Sequence, residues 1–318
     1  MNRNSSVVSI DRPISNDRPI SKQRLGSLQR KESLAGLLFV SPMILGVTFL
    51  TLIPIIATFL IAFSDWNFIM GLSGFKWVGF SNFQTLIGDV SFLKSMKNNA
   101  MFLLTVPIYM GIALLLAILI EKHIYFKSFF KVAFFMPYIS SVVAVATVWM
   151  VLFNPSTGPV NQFLVSIGIN NPPKWIADPS YALPSLMMVS VWISIGFNMI
   201  IYIAGLQDIP KDLYEAADID GANGWVKFQR ITLPLLSPTS FFLLVSGIIA
   251  TFKVFDLIAV LTRGGPMRAT SMMVWDMYEM AFVNLKIGYA SSMASVLFFC
   301  VLLITILQWF GQKKWVNY

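Results

Sequence analysis

Six long apolar segments constrain the fold of this 318-residue chain more than any other feature. They run approximately over residues 34–63, 100–120, 129–153, 183–206, 237–261 and 289–310. About 20 helical residues cross the roughly 30 Å hydrocarbon core of a bilayer, and only helices or closed barrels satisfy their backbone groups in lipid. Because the segments lack the period-two alternation of barrel strands, we predict an all-α integral membrane protein with six transmembrane helices.

The distribution of charge supports a membrane protein and argues against a nucleic-acid partner. Charged residues make up 12% of the chain, about half of the fraction that is usual in soluble domains. The net charge is +8, but the basic residues flank the apolar segments and form no stripe on a polar domain. The lipid bilayer is therefore the expected partner of this surface.

Two regions differ in composition. Residues 1–33 are polar, basic and rich in serine and proline, which predicts a disordered tail. Residues 34–318 contain the apolar segments and form the predicted transmembrane domain. With the amino terminus in the cytoplasm, 15 of the 23 lysine and arginine residues lie on the cytoplasmic side. The positive-inside rule therefore predicts that both termini are cytoplasmic.

The sequence offers no site for a metal or a nucleotide. The single histidine, His123, has no cysteine or carboxylate cluster near it, and the single cysteine, Cys300, lies in an apolar run. No phosphate-binding loop of the G-x-x-x-x-G-K-[ST] type occurs. We therefore expect no cofactor and no metal in this chain, and any ATP hydrolysis must come from another polypeptide.

A polar loop at residues 207–236 separates the fourth and fifth segments and predicts two short helices. Pro210 suits a first helical turn, and Asp208 and Asp212 could cap that helix or complement its positive end. Asp220-Gly221 predicts the turn, and a second helix would run from Trp225 to Pro234. One helix has a face of Leu213, Ala216 and Ala217, and the other a face of Trp225, Phe228 and Ile231. A connector lying at the membrane surface is the alternative interpretation.

The spacing within this loop is specific. Glu215-Ala216-Ala217 is followed after three residues by Gly221, and after nine more by Ile231-x-Leu233-Pro234. The pattern resembles the cytoplasmic "EAA" loop of the membrane subunits of bacterial ATP-binding-cassette importers. The run from Leu206 to Ala222 is similar to the carbohydrate branch of that family, the maltose/glycerol-phosphate permease type. So are the segments beginning at Phe255-Asp256, Leu261-Thr262 and Gly264-Gly265-Pro266, and the outer-loop residues Gly158 and Asn161.

The resemblance covers about residues 34–315 and carries functional expectations with it. It implies the type I importer permease fold in the bacterial inner (cytoplasmic) membrane, in a chain that is not itself an enzyme. The implied partners are a second permease subunit of different sequence, two ATPase subunits and an extracytoplasmic sugar-binding protein. The residues implied to couple to the ATPase are Leu213, Tyr214, Glu215, Ala216, Ala217, Asp220, Gly221, Trp225, Phe228, Ile231, Leu233 and Pro234.

Residues that could touch a sugar lie in the fourth and fifth segments. Trp192, Asn198 and Tyr202 offer an aromatic face, an amide and a hydroxyl, although Trp192 points roughly opposite to Asn198 on a regular helix. Charged residues within a membrane usually face the interior, which makes Lys253 and Asp256 the other candidates. A structural ion pair between these two is an equally good interpretation.

Other solutes and other mechanisms remain open at this stage. A glycerol phosphate or amino acid permease of the same superfamily is one alternative. Because only Lys253 could meet a phosphate, we favour a neutral or weakly charged oligosaccharide. A secondary carrier is the other alternative, but such carriers usually bury several ionisable groups.

Overall fold

The computed structural model describes residues 22–123 and 125–315, most of which are helical. The chain divides into two compact units, Met1–Ala57 and Thr58–Tyr318. The first contains α1 (Lys22–Val47) and a π-helical turn at Thr48–Leu52, after which α2 (Ile53–Ile61) continues into the second unit. The second unit contains all the later helices.

The amino-terminal helix begins earlier than the sequence predicts. It starts at Lys22 and not at residue 34, so the end of the predicted disordered tail is helical. The residues between these positions include Leu, Gln, Lys, Arg and Glu, which all have high helix propensity. The first 21 residues of the predicted tail lie outside the described part of the chain.

The number of membrane-crossing elements agrees with the sequence. Four helical stretches are long and apolar enough to span a bilayer, and two bent helix pairs raise the number to six if each pair counts as one span. The four stretches are Ser33–Ile61, Val90–Glu121, Pro179–Gln207 and Ile287–Lys313. The bent pairs are Lys127–Ile139 with Val142–Leu152 and Gly224–Leu235 with Ser237–Phe252. The all-α membrane fold is confirmed.

The second unit begins with α3 (Ser81–Gly88), α4 (Val90–Phe102) and α5 (Thr105–His123) after the end of α2. They are followed by α6 (Lys127–Ile139), α7 (Val142–Leu152), α8 (Pro159–Ser166) and α9 (Pro179–Gln207). The loop helices are α10 (Lys211–Ile219), α11 (Gly224–Lys227) and α12 (Leu233–Leu235). The remainder are α13 (Ser237–Phe252), α14 (Asp256–Leu261), α15 (Met273–Tyr278) and α16 (Ile287–Trp315).

The predicted third segment is not one straight helix. Helices α6 and α7 meet at an angle of 95°. Pro137 lacks an N–H and lies in the last turn of α6, and Ser140 and Ser141 adopt extended backbone angles. The hydroxyl of Ser140 donates a hydrogen bond of 2.8 Å to the carbonyl of Met136, which satisfies one of the carbonyl groups at the helix end.

The predicted fifth segment is also interrupted. Helix α13 ends at Phe252, and the chain is non-helical from Lys253 to Phe255 before α14 begins at Asp256. Tertiary packing explains the break, because Leu257, Ile258 and Leu261 of α14 are buried in a cluster that also contains residues of α7 and α9. A straight continuation of α13 would direct these side chains elsewhere.

Close helix packing holds the second unit together. In lipid, helices associate through van der Waals contact and hydrogen bonds between them. Helix α9 passes so close to α6 that a Cβ on Gly196 would overlap the backbone of Phe134. Within the next two turns of α9, Met199 and Ile203 are buried in one cluster with Leu236 and Leu243.

Candidate functional site

The loop after α9 forms a helical hairpin, which we name the coupling hairpin (residues 208–236). Helix α10 is followed by a turn at Gly221, where φ is +74°, and by helical structure from Gly224 to Leu235. The predicted turn at Asp220-Gly221 is confirmed. Pro210 occupies the N-cap position of α10 and no side chain caps this helix, so the capping part of the prediction is wrong. Asp212 lies in the first turn, where its charge complements the positive end of the helix, as predicted. Asn223 caps the second helix by accepting from the N–H of Val226.

Polar contacts fix the two helices of the coupling hairpin to each other. Lys227 forms an ion pair of 2.5 Å with Asp218. The hydroxyl groups of Tyr214 and Thr232 share a hydrogen bond of 2.9 Å across the hairpin, and Thr232 is buried. Two contacts between helices at opposite ends of the hairpin restrict both their angle and their separation. The hairpin can therefore move as one body.

The outer face of the coupling hairpin is shallow and partly apolar. Leu213, Ile219 and Trp225 are exposed by 43%, 87% and 65%. Glu215 and Ala216 are also exposed, and Ala217 is half-buried. No other atom of the described chain lies within 4 Å of the position that a Cβ on Gly221 would take. Small residues, exposed apolar side chains and the carboxylate of Glu215 suit close docking of another protein.

The remaining predicted coupling residues divide between the surface and the underside. Asp220 and Leu233 are exposed. Tyr214, Phe228, Ile231 and Pro234 are half-buried. The rings of Trp225 and Phe228 lie 5.6 Å apart, as the predicted aromatic face requires. Tyr214 and Phe228 also line a cavity of about 340 Å³ between the hairpin and the ends of α5 and α9.

A second cavity, of about 270 Å³, lies at the interruption between α13 and α14, and we name it the central cavity. Lys253 and Asp256 line it from either side of the break, and Ser190 and Ser194 line it from α9. Both charged residues are exposed in this single chain. Among residues 22–123 and 125–315, neither side chain forms a hydrogen bond or an ion pair. The structural ion pair, one of the two interpretations of the sequence, is therefore not formed.

The three candidate sugar-binding residues of α9, Trp192, Asn198 and Tyr202, do not line the central cavity. Asn198 is 5% exposed and donates to the carbonyl of Ser194 in its own helix. Tyr202 is buried against α13, where its hydroxyl lies 3.3 Å from that of Ser240. Trp192 is 42% exposed and packs edge-to-face on Trp149. Their contacts are those of helix packing, and sequence spacing alone does not reveal them.

Loops at the opposite end of α9 from the coupling hairpin are held by buried polar side chains. Asn161 is 4% exposed, donates to the carbonyls of Pro155 and Pro173, and accepts from the indole N–H of Trp175 at 2.6 Å. The resemblance identified Asn161, and the structure shows the bonds it makes. Gly158 adjoins this network, and a Cβ there would overlap the backbone of Leu152 and Asn154.

A second network of polar contacts, at the same end of α9, was not predicted from the sequence. Asp276 is 1% exposed, receives a hydrogen bond from Ser271 and pairs with Arg268 at 2.6 Å. Asn98 of α4 donates to the carbonyls of Arg268 and Ser271, and thereby ties that loop to α4. The signal available in the sequence was the pair Asn98-Asn99 just before an apolar run.

The carboxylate of Asp89, at the same end of the helices, has a shifted pKa. Asp89 caps α4 through the N–H groups of Ser91 and Phe92, and the hydroxyl of Tyr289 donates to it at 2.6 Å. Burial raises the pKa of Asp89, but the hydrogen bonds from Tyr289, Ser91 and Phe92 and the charge of Arg268 outweigh burial, so the pKa lies below its ordinary value. The carboxylate is therefore ionised at neutral pH and links α4 to α16.

The comparisons with known proteins agree with this architecture. The family model described as "Binding-protein-dependent transport system inner membrane component" matches residues 100–315. A probable ABC transporter permease protein of Bacillus subtilis is 35% identical over 293 residues, which are 91% of this chain and 93% of the relative. The sn-glycerol-3-phosphate transport system permease protein of Agrobacterium fabrum is 37% identical over 250 residues, 78% of this chain and 84% of the relative.

A solved structure supports the same fold. The match is a bacterial ABC transporter involved in the import of the acidic polysaccharide alginate, with a TM-score of 0.80 and 24% identity. It covers 92% of this chain and 100% of the matched chain. The match to the family model extends from α4 through the coupling hairpin and the central cavity to α16. The chain thus belongs to the family of binding-protein-dependent transport system inner membrane components, the permease subunits of ATP-binding-cassette transporters.

Proposed function

We propose that this chain forms half of the translocation path of an ATP-driven importer of a neutral or weakly charged oligosaccharide. An extracytoplasmic binding protein delivers the sugar, and a second permease subunit of different sequence completes the path. The chain lies in the bacterial cytoplasmic membrane with the coupling hairpin and both termini inside. Membership of the family, the 15 basic residues on the predicted cytoplasmic side and the shape of the hairpin support this arrangement.

The central cavity is the observation that carries the assignment to a sugar. It presents one ammonium group, one carboxylate and two serine hydroxyl groups, together with the ring of Phe255. Hydroxyl-rich ligands bind through such mixtures of donors, acceptors and an apolar face. Charges that face lipid are expensive, so exposed Lys253 and Asp256 require an aqueous path or a partner subunit beside them.

A phosphate ester is the second candidate substrate, and one observation favours it. The relatives named as sn-glycerol-3-phosphate permeases are 34–37% identical to this chain, and Lys253 could pair with a phosphate. Asp256 lines the same cavity and would repel that phosphate. The balance of one positive and one negative group therefore favours the neutral sugar.

Coupling to ATP hydrolysis is proposed to occur through the coupling hairpin. Two ATPase subunits would serve the two permeases, one at each hairpin. The ion pair of Lys227 with Asp218 and the bond of Tyr214 with Thr232 make the hairpin rigid enough to transmit a displacement of its outer face to α9 and α13. This chain would need no cofactor of its own.

Substitutions in the central cavity test the substrate assignment. Lys253→Met, Asp256→Asn and the double variant are compared for melting in detergent and for uptake in the reconstituted transporter. Because the two charges do not pair within the described residues, we expect each single variant to melt within about 2 °C of the parent chain. Uptake should fall at least tenfold in each, which corresponds to about 1.4 kcal/mol. Lys174→Met, an exposed lysine outside the cavity, is the matched control.

The pattern of results separates the candidates. Competition for uptake by neutral oligosaccharides but not by glycerol phosphate supports the sugar assignment, and the reverse pattern would replace it with the phosphate ester. Normal uptake by the double variant would show that the central cavity is not part of the translocation path. If both single variants melt at a lower temperature than the parent chain and the double variant regains the parent's melting temperature, the interpretation as a structural ion pair would be correct after all.

A further inference from the structure

A groove of about 580 Å³ lies between α4 and the first turns of α9, at the end of α9 away from the coupling hairpin. Helix α4 contributes Leu93, Lys94, Lys97 and Met101, and α9 contributes Ser180 and Leu183. The four residues of α4 recur at helical spacing and so share one face. Among the described residues that line the groove, none carries a carboxylate. The groove is thus apolar along its length and positively charged in its middle.

The lengths of the helices place this groove at the level of the lipid headgroups. Helix α5 has 19 residues and rises by about 28 Å, which matches a hydrocarbon core of about 30 Å. Near its carboxyl end, Glu121 accepts a hydrogen bond from Gln207 at the base of the coupling hairpin. Helix α4, which precedes α5, therefore lies at the opposite interface of the bilayer.

The two lysines are available to an anion. Within the described residues Lys97 is exposed and forms no hydrogen bond or ion pair. Lys94 donates one hydrogen bond, of 2.7 Å, to the carbonyl of Met267, and its ammonium group has two further N–H donors. Asp178 already caps α9 through the N–H of Ser180, so the lysines and not the helix end supply the positive charge.

We propose that this groove binds one anionic phospholipid of the leaflet opposite the coupling hairpin. Lys97 and Lys94 hold its phosphate, and an acyl chain lies along Leu93, Met101 and Leu183. Leu93 and Met101 are exposed by 47% and 42%, as residues beside a lipid chain are expected to be. Charge complementarity and the apolar walls together select a charged amphiphile over a free anion. Bound there, the lipid bridges α4 and α9 and stabilises the chain.

Lipid titration of the full-length chain tests this proposal. The purified chain in detergent is titrated with phosphatidylglycerol, with phosphatidylcholine as the neutral lipid, and bound lipids are counted by native mass spectrometry. We expect tighter binding of phosphatidylglycerol, weakened about five-fold by Lys97→Gln and about 25-fold by Lys94→Gln with Lys97→Gln. Lys174→Gln removes an exposed charge from outside the groove and should leave binding unchanged.

Four results would overturn the proposal. One is equal binding of phosphatidylglycerol and phosphatidylcholine. Another is that Lys174→Gln weakens the binding of phosphatidylglycerol as much as Lys97→Gln does. Displacement of phosphatidylglycerol by millimolar inorganic phosphate would indicate a site for free anions. Unchanged lipid binding in Lys97→Gln, with loss of the ATP hydrolysis that a binding protein stimulates, would assign the groove to a protein interface. The proposal is independent of the transported solute.

Discussion

Gly221 is the residue on which the coupling hairpin turns, and its φ of +74° suits glycine. A side chain there adds about 1–2 kcal/mol of backbone strain and also projects from the docking face. We predict that Gly221→Asp inserts into the membrane but lowers uptake at least tenfold while ATP hydrolysis continues. Membrane fractionation, uptake and ATPase assays of the assembled transporter measure the three quantities.

A glycine far from the hairpin provides the control for this substitution. Gly168 has a φ of +95° and, like Gly221, has open space where a Cβ would lie. Gly168→Asp therefore introduces comparable strain and the same charge without touching the docking face. Normal uptake by Gly221→Asp, or equal losses in both variants, would contradict a docking role for the hairpin turn.

Glu215 is exposed on α10. A charge-assisted hydrogen bond that the Glu215 carboxylate accepts from a partner would be worth about 1.5–3 kcal/mol. We predict that Glu215→Ala weakens association with the ATPase subunit by roughly ten-fold to a hundred-fold without changing membrane topology. Co-purification at graded salt measures the effect, and Asp212→Ala, another exposed carboxylate of the same helix, is the control. An unchanged yield of ATPase would leave Glu215 with only a role in its own helix.

At the scale of helices, the crossing of α9 and α6 depends on Gly196. A Cβ there would overlap the carbonyl oxygen of Phe134, which is backbone and cannot rotate away. We predict that Gly196→Ala destabilises the chain by about 1–3 kcal/mol, because the two helices must separate. Thermal unfolding of the variant and the parent chain in detergent measures this loss of stability. Gly111→Ala in α5, where nothing lies within 4 Å, should be neutral or slightly stabilising.

The helices could be predicted from sequence in number and type, but their interruptions could not. Apolar length predicts a span, and 129–153 and 237–261 are each long enough for one uninterrupted span. Pro137 gave a local signal for the bend between α6 and α7, since a proline removes a helical hydrogen bond. The break at Lys253 contains no proline, although Lys253 and Asp256 interrupt the apolar run there. It follows from the burial of α14 against α7, which is a long-range contact.

At the scale of the whole molecule, the orientation across the membrane is testable with cysteines. Replacing Cys300 by alanine gives a background without thiols, since it is the single cysteine. We predict that Ser156→Cys reacts with a membrane-impermeant maleimide in intact spheroplasts, whereas Gln229→Cys reacts only after permeabilisation. Both positions are exposed, and α9 separates their loops by about 43 Å. The reverse pattern would place the coupling hairpin outside.

The sequence by itself determined the class of protein, because apolar runs near 20 residues have few solutions in lipid and the Glu215 to Pro234 spacing is a local pattern. It also located the turn at Gly221, since a positive φ is a property of single residues. Only the tertiary structure decided which polar residues face the central cavity. Asn198 and Tyr202 share a helix face, as their spacing predicts, but neighbouring helices bury that face. Lys253 and Asp256 have the spacing of a pair, yet a break in the helix between them keeps them apart, because pairing depends on the backbone path and not on the interval in sequence.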